Sequence, residues 1–247
     1  MYRNVVFLVL VLGSSCALQL PPEVPKCRRA DPKIDECLKN AIQKTLNILA
    51  KGLPGFNFDS IEPIKIPSLM IGEGKGAVHV VQNYKNMEVH NISKAVIKNV
   101  KSIFTDDGFK LEVNTALSQS TLETEYNFNG NILIFPIVGN GTATIRLENS
   151  QASLHVFGKS FTKKQKKYVE ITELKISLNP SKVEFDFRNL FNGDVRLGTE
   201  MNKLLNDNWK DVYDDVKHGY EDAIGAVFQN LANLIFKRVP FDNIFLV

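Results

Sequence analysis

The sequence predicts an α+β fold in which a long C-terminal α-helix is wrapped by a strongly curved antiparallel β-sheet. Two patterns carry that prediction. Between Ala77 and about Phe191, apolar and polar residues alternate at period two in run after run, as half-buried strands do. From Leu197 onward the period changes. Met201, Leu204, Leu205, Trp209, Val212, Tyr213, Val216, Tyr220, Ile224, Val227, Phe228, Leu231 and Ile235 fall at steps of three and four, which is a helical stripe. A single helix over residues 198–238 would reach about 60 Å; Gly219 and Gly225 are places to bend it, which leaves two collinear pieces open. One pair of strands does not cover so long a stripe. A sheet curled around the helix does, each lending the other its apolar face.

The elements follow in order. Residues 1–17 read as a secretory signal peptide: Arg3 is the basic start, Val5 to Leu12 is unbroken apolar chain, and Ser15-Cys16-Ala17 ends in small residues. The apolar run is far short of the roughly 20 residues that span a bilayer, and no later segment is longer and as apolar. The expected product is residues 18–247, exported, without stable membrane insertion, and one domain that no linker or repeat divides. Asp31-Pro32 opens the first helix, with Asp35 and Glu36 in its first turn. Ile34, Leu38, Ile42, Leu46 and Leu49 form its apolar face, and Gly52 with Pro54 ends it. Residues 52–71, punctuated by Pro54, Pro63 and Pro67, take an extended, irregular path.

The strand region then begins with Val78/Val80. Alternation continues through Phe109/Leu111/Val113, Leu122/Thr124/Tyr126/Phe128, Ala143/Ile145/Leu147, Ala152/Leu154/Val156 and Val183/Phe185/Phe187. Residues 88–103 are less regular. Gly139-Asn140-Gly141 reads as a tight hairpin or bulge, and the basic run Lys163-Lys164-Gln165-Lys166-Lys167 as a solvated hairpin tip. Successive alternating strands with short connections imply an antiparallel meander with one wet face.

Composition excludes several function classes. Thirty basic against 27 acidic side chains is too balanced for a nucleic-acid binder, and no basic stripe interleaves with aromatics. Once Cys16 leaves with the signal peptide, Cys27 and Cys37 form an even pair, expected as a disulfide in an exported chain and tying the N-terminal arm to the first helix. Asn91-Ile92-Ser93 and Asn140-Gly141-Thr142 are glycosylation sequons, with Asn91 and Asn140 the acceptors. No nucleophile elbow or H-E-x-x-H occurs, and His79, His90, His155 and His218 are scattered. Gly72 to Ala77 matches G-x-G-x-x-A, but a strand-like segment follows where a dinucleotide site needs a helix. No cofactor, metal or catalysis is expected.

What remains is the apolar face. Leu111, Val113, Tyr126, Phe128, Ile132, Ile134, Ile145, Phe185 and Phe187, with Trp209 and Tyr213 from the helix, supply bulk and few polar atoms. They fit an ordinary core or the lining of a ligand tunnel. Tyr126, Trp209 and Tyr213 would each add one donor to orient a greasy guest. Periodicity leaves both readings open.

Several motifs point further. PKCRRADPKIDEC around the first helix, the proline-punctuated segment from Gly52 to Leu69, the segments YNFNG (126–130) and IVGNG (137–141), LFNGDVRLGTEMNKLLNDNWKDV (190–212) and the late FDNIF (241–245) resemble the takeout/juvenile hormone-binding proteins of insects. The resemblance runs through nearly all of residues 18–247. It implies a TULIP-type fold with an internal hydrophobic tunnel for a small hydrophobic ligand, such as a terpenoid hormone or fatty acyl chain. It also implies an extracellular carrier, with a receptor as a further partner and links to circadian output or feeding. Without a cysteine beyond Cys37 for a second disulfide, the chain looks takeout-like within that family. The rival classes are a lipocalin-type carrier, a secreted lipid-active enzyme and a ligand-free signalling partner.

Overall fold

The protein is described here by a computed structural model covering residues 18–247; the expected signal peptide, residues 1–17, lies outside the described residues. In chain order the elements are β1 (Cys27–Arg28), α1 (Ile34–Leu49), β2 (Ile64–Ile71), β3 (Val78–Val80), β4 (Gln82–His90) and β5 (Val96–Thr105). There follow β6 (Gly108–Ile132), β7 (Phe135–Lys163), β8 (Lys166–Asn179), β9 (Lys182–Phe187), α2 (Val195–Asp207), α3 (Trp209–Phe236), α4 (Phe241–Ile244) and β10 (Phe245–Leu246).

β6 and β7 are 25 and 29 residues long and pair antiparallel from end to end. At about 3.3 Å per residue such a hairpin approaches 80 Å in contour, long enough to be the frame of the molecule. The outer edge of β6 is occupied in sequence by β5, β4 and β3; the outer edge of β7 by β8 and β9. β2 extends the sheet beyond β4. All these pairings are antiparallel, as the alternation predicts. The sheet curls around α2 and α3, with α1 against β5, and one buried apolar cluster runs through all of them.

A strand this long keeps one face inward only if its parity is reset. In β6 the residues facing the interior are odd-numbered from Phe109 to Leu117 and even-numbered from Ser120 to Phe128. In β7 they are odd through Ile145 and Leu147, then even from Ser150 to Val156. The two resets face each other: Leu117 pairs with Ser150 and Gln119 with Glu148, and between Glu148 and Ser150 the backbone of Asn149 turns to φ 44°. A slip in one strand alone would put its apolar set in water. Matched slips preserve the inner face and add bend to the sheet.

Two expectations are corrected. Gly139-Asn140-Gly141 is not a turn. It lies inside β7, and the chain reverses at Leu133 and Ile134, with Leu133 at φ 54°. The glycines answer a different need: a Cβ on Gly141 would stand 2.1 Å from the carbonyl oxygen of Arg188, because residues 188–190 cross closely over β7. The C-terminal stripe is two helices, and they separate at Asn208 (φ −113°, ψ 24°) rather than bending at Gly219 or Gly225. Those glycines bring α3 down onto the sheet; a Cβ on Gly225 would lie 2.6 Å from the Leu174 carbonyl oxygen.

The first helix starts regularly at Ile34, later than Asp31-Pro32 suggests, although the Asp31 side chain does accept the Lys33 amide at 2.8 Å. The G-x-G-x-x-A stretch also finds its role. Asp215 of α3 accepts the backbone amides of Lys75, Gly76 and Val78 at 2.8–2.9 Å, so the anion gathered by this loop is the protein's own carboxylate.

The open edges of the sheet are closed by helix side chains. Asn202 accepts the Phe187 amide and donates to its carbonyl, and Asn206 does the same to Phe185, so α2 carries an imitation strand for β9. Asn233 treats Ile171 of β8 likewise, and Gln43 of α1 bonds the Ile97 amide and the Ala95 carbonyl at β5.

Candidate ligand cavity

Between the curled sheet and the helices lies a cavity of about 440 Å³. An apolar void of about 150 Å³ already accommodates a benzene, and small-molecule sites begin at about 300 Å³. Its walls come from α1, every strand from β2 to β9, α2 and α3. They are overwhelmingly aliphatic and aromatic.

Of the sequence-predicted lining residues, Leu111, Val113, Phe128 and Ile132 of β6 face this cavity, together with Ile145 of β7, Phe185 and Phe187 of β9, and Tyr213 of α3. Three do not. Ile134 is 86% exposed, because it sits on the β6–β7 turn rather than within a strand. Tyr126 is buried beside the cavity, packed on Phe128 and Phe187, with its hydroxyl given to the Arg188 carbonyl at 2.8 Å. Burial pushes that phenol up to about 12. Trp209 stands at the start of α3, half-buried against the core and outside the lining.

Nor are the expected donors the available ones. Tyr213 lines the cavity but donates to the Leu178 carbonyl at 3.0 Å. The polar lining instead centres on Gln82, whose Oε1 accepts the Tyr84 hydroxyl at 2.9 Å and the Tyr220 hydroxyl at 2.6 Å. Burial raises both phenols, so they stay protonated at physiological pH. Ser150 is a second buried polar group of the wall, and its Oγ has no partner among the described protein groups. Gln82 was visible in the sequence: in the even set Val78, Val80, Gln82, Tyr84 it is the amide on an otherwise apolar or aromatic face. Glu221 is the only charged lining residue described, and its carboxylate accepts the Leu178 amide at 2.7 Å and lies 3.0 Å from His218 Nδ1.

One end of the cavity is closed by aromatic rings. Phe109 stacks near Phe241 at 6.2 Å between centroids, and Phe104, Phe236 and Phe245 complete the plug. The C-terminal FDNIF segment exists to build it: Phe241 is fully buried, and Arg29 lies over its ring at 4.7 Å. β10 is held by parallel pairing with β1, where Cys27 pairs with Phe245. The Cys27–Cys37 disulfide, with Cα atoms 5.9 Å apart, fastens β1 to α1 and so fixes the plug's strand.

The two sequons differ. Asn140 is exposed on β7. Asn91 is half-buried at φ 71°, and its sequon is drawn onto Glu62, which accepts the Asn91 amide, the Ser93 amide and the Ser93 hydroxyl. The basic run does form the β7–β8 tip, with Lys164 and Gln165 both at positive φ. No described helix is long and apolar enough to cross a membrane, and the described residues contain no group of three His, Cys, Asp or Glu suited to a metal.

Comparison with known proteins agrees with this architecture. The sequence model of the haemolymph juvenile hormone binding protein family matches residues 5–246. The circadian clock-controlled protein daywake of Drosophila melanogaster is 24% identical over 231 residues, 91% of this chain and 88% of that protein. Its Drosophila yakuba counterpart is 25% identical over 233 residues, with the same coverage. The crystal structure of Takeout 1 from Epiphyas postvittana superposes with a TM-score of 0.79 at 24% identity, covering 91% of this chain and all of that one. The shared fold is the TULIP type, a large antiparallel sheet around C-terminal helices rather than a closed barrel.

Proposed function

The chain belongs to the haemolymph juvenile hormone binding protein family, and on that premise we propose that it is an extracellular carrier of a small hydrophobic ligand. The observation that carries this reading is the 440 Å³ apolar cavity. The mechanism is burial without chemistry. A ligand of roughly 15 carbons leaving water gains about 12 kcal/mol gross at about 0.8 kcal/mol per methylene. Lost translational and internal freedom takes back several kcal/mol, which leaves affinity between micromolar and nanomolar. Terpenoids and acyl chains both meet these requirements.

The rest of the reading is of a piece: a cleaved leader over residues 1–17, one domain over 18–247, and glycans on Asn91 and Asn140. The name of the Drosophila relatives suggests expression under clock control here too, which a time course of transcript would test. The function itself is tested by organic extraction of protein purified from its native fluid, followed by mass spectrometry. A stoichiometric hydrophobic compound supports the carrier; protein that yields none, and fails to take up a fluorescent fatty-acid probe, refutes it.

A further inference from the structure

The β7–β8 tip carries charge that the fold does not consume. Residues 159–167 contain five lysines and no acidic residue. Lys159, Lys163 and Lys166 are exposed and form no ion pair among the described residues. Lys167 turns back, donating to the Asp106 carbonyl and lying over the Phe241 ring at 5.8 Å. Glu170 and Glu173 are neutralised by Lys237 and Lys175, at 2.7 and 2.8 Å. Against the lysines stand Asp106 and Asp107 of the adjoining β5–β6 turn, whose backbone carbonyls hold Ser160.

Apolar surface lies beside this charge on the outer face of the sheet. In this part of β7 the inner positions are Val156 and Gly158, so Phe157, Lys159, Phe161 and Lys163 point outward. Cross-strand pairing puts Tyr168 beside Phe161, with ring centroids 5.8 Å apart, and Lys166 beside Lys163. On the other side Phe157 pairs with Lys110, whose ammonium lies 5.7 Å from its ring, and Lys110 pairs with Ile103, which is 61% exposed. Lysines do alternate with aromatic rings here, but only over residues 157–163, about 20 Å. That is shorter than a groove that tracks a nucleic-acid strand.

Unpaired ammonium groups next to exposed apolar surface select the partner. A soluble polyanion such as a sulfated polysaccharide would meet the charge and leave Ile103 and Phe161 in water. A bilayer with anionic headgroups satisfies both: phosphates meet the ammonium groups, while the lysine stems and the rings enter the headgroup–acyl boundary. We propose that the β7–β8 tip is a peripheral docking surface for an anionic phospholipid membrane. Docked this way, the molecule brings its aromatic plug to the bilayer, because Lys167 lies over Phe241 and Phe241 packs near Phe109 of the cavity wall. The docking does not depend on the carrier reading and is measured without any ligand.

The test is co-sedimentation of the whole secreted protein with vesicles, made either of phosphatidylcholine alone or of an equal mixture with phosphatidylserine. Binding should require phosphatidylserine and disappear in molar salt, where the screening length contracts to about 3 Å. Each lysine near an anionic surface contributes about fivefold to partitioning. Joint Lys159→Gln, Lys163→Gln and Lys166→Gln should therefore weaken binding about a hundredfold, whereas arginine at the same three positions should preserve it. Amide exchange in the presence of mixed vesicles should slow over residues 159–168 and not around Ile134 and Phe135, the exposed apolar pair at the other end of β7. Equal binding to pure phosphatidylcholine, binding that survives the glutamine changes, or protection confined to Ile134 and Phe135 overturns the proposal. Retention on immobilised heparin without vesicle binding also overturns it, in favour of a polysaccharide partner. If the glutamine variant does not fold, the salt dependence and the exchange pattern of the unmodified protein decide. Protein that yields no hydrophobic compound on extraction yet pellets with phosphatidylserine would refute the carrier and support the dock.

Discussion

Replacing Ala152 with phenylalanine tests whether the interior is hollow. Ala152 pairs with Thr115 across β6–β7 and with Leu178 across β7–β8, and all three line the cavity. The added ring needs about the 150 Å³ that a buried benzene occupies, a third of the 440 Å³ present. At about 24 cal/mol per Å³, filling that void returns at most about 3.6 kcal/mol; imperfect fit and lost rotamer freedom reduce this to roughly 1–2 kcal/mol. The same ring evicts about five methylenes of ligand, about 4 kcal/mol at ~0.8 each, or several hundredfold in affinity. Delipidated Ala152→Phe should therefore unfold at equal or higher urea concentration than the parent, yet bind methyl dodecanoate at least about a hundredfold more weakly. Destabilisation beyond about 2 kcal/mol, the signature of overpacking, would mean that the interior is already full. Unchanged affinity in a folded variant would mean that the guest lies elsewhere.

Three further outcomes follow from the fold. Gly141→Ala should cost about 2–3 kcal/mol in urea unfolding, because its Cβ would meet the Arg188 carbonyl at 2.1 Å and neither backbone has room to withdraw. Converting both Cys27 and Cys37 to serine should cost about 3 kcal/mol and speed amide exchange at Phe245 before it does so in β6. Glu62 supplies a pH signature: burial raises its carboxyl, but hydrogen bonds from Asn91 and Ser93 outweigh this and hold it below the usual value. Its contribution is complete above the unfolded-state value near about 4.3 and vanishes as pH falls through the depressed folded value. Glu62→Gln should thus be less stable than the parent at pH 7, with the gap closing in acid; a constant gap would exclude the linkage.

Much of this fold was legible because two periods are hard to confuse. The period-two runs all became strands, and the period-3.6 stripe became α2 and α3. Where structure and sequence pattern differ the cause is shared: a local signal serves a distant contact. Gly139 and Gly141 resemble turn residues, but they are glycine because residues 188–190 pass over them, a contact between segments some 50 positions apart. The odd set ending at Val113 and the even set beginning at Leu122 looked like two strands, whereas a paired reset near Asn149 makes them one. The tyrosines offer donors in the sequence, yet Tyr126 and Tyr213 each spend their hydroxyl on a distant backbone carbonyl. Hollowness has no sequence signal, since Leu111 or Phe185 reads the same against a neighbour or against a void.

The amides of Asn202, Asn206 and Asn233 have a consequence for the lifetime of the protein. A bare strand margin is an adhesive strip for any passing β-segment, and here each amide stoppers one donor and one acceptor of that strip while presenting no strand of its own. The stopper depends on the amide having both a donor and an acceptor. An aspartate in its place would keep the acceptor but set a carboxylate against the carbonyl formerly capped. Asparagine-to-aspartate exchange at these three positions should therefore bare β9 and β8 while the aromatic plug is still intact, so the exchanged protein is expected to seed fibres before its near-ultraviolet spectrum changes.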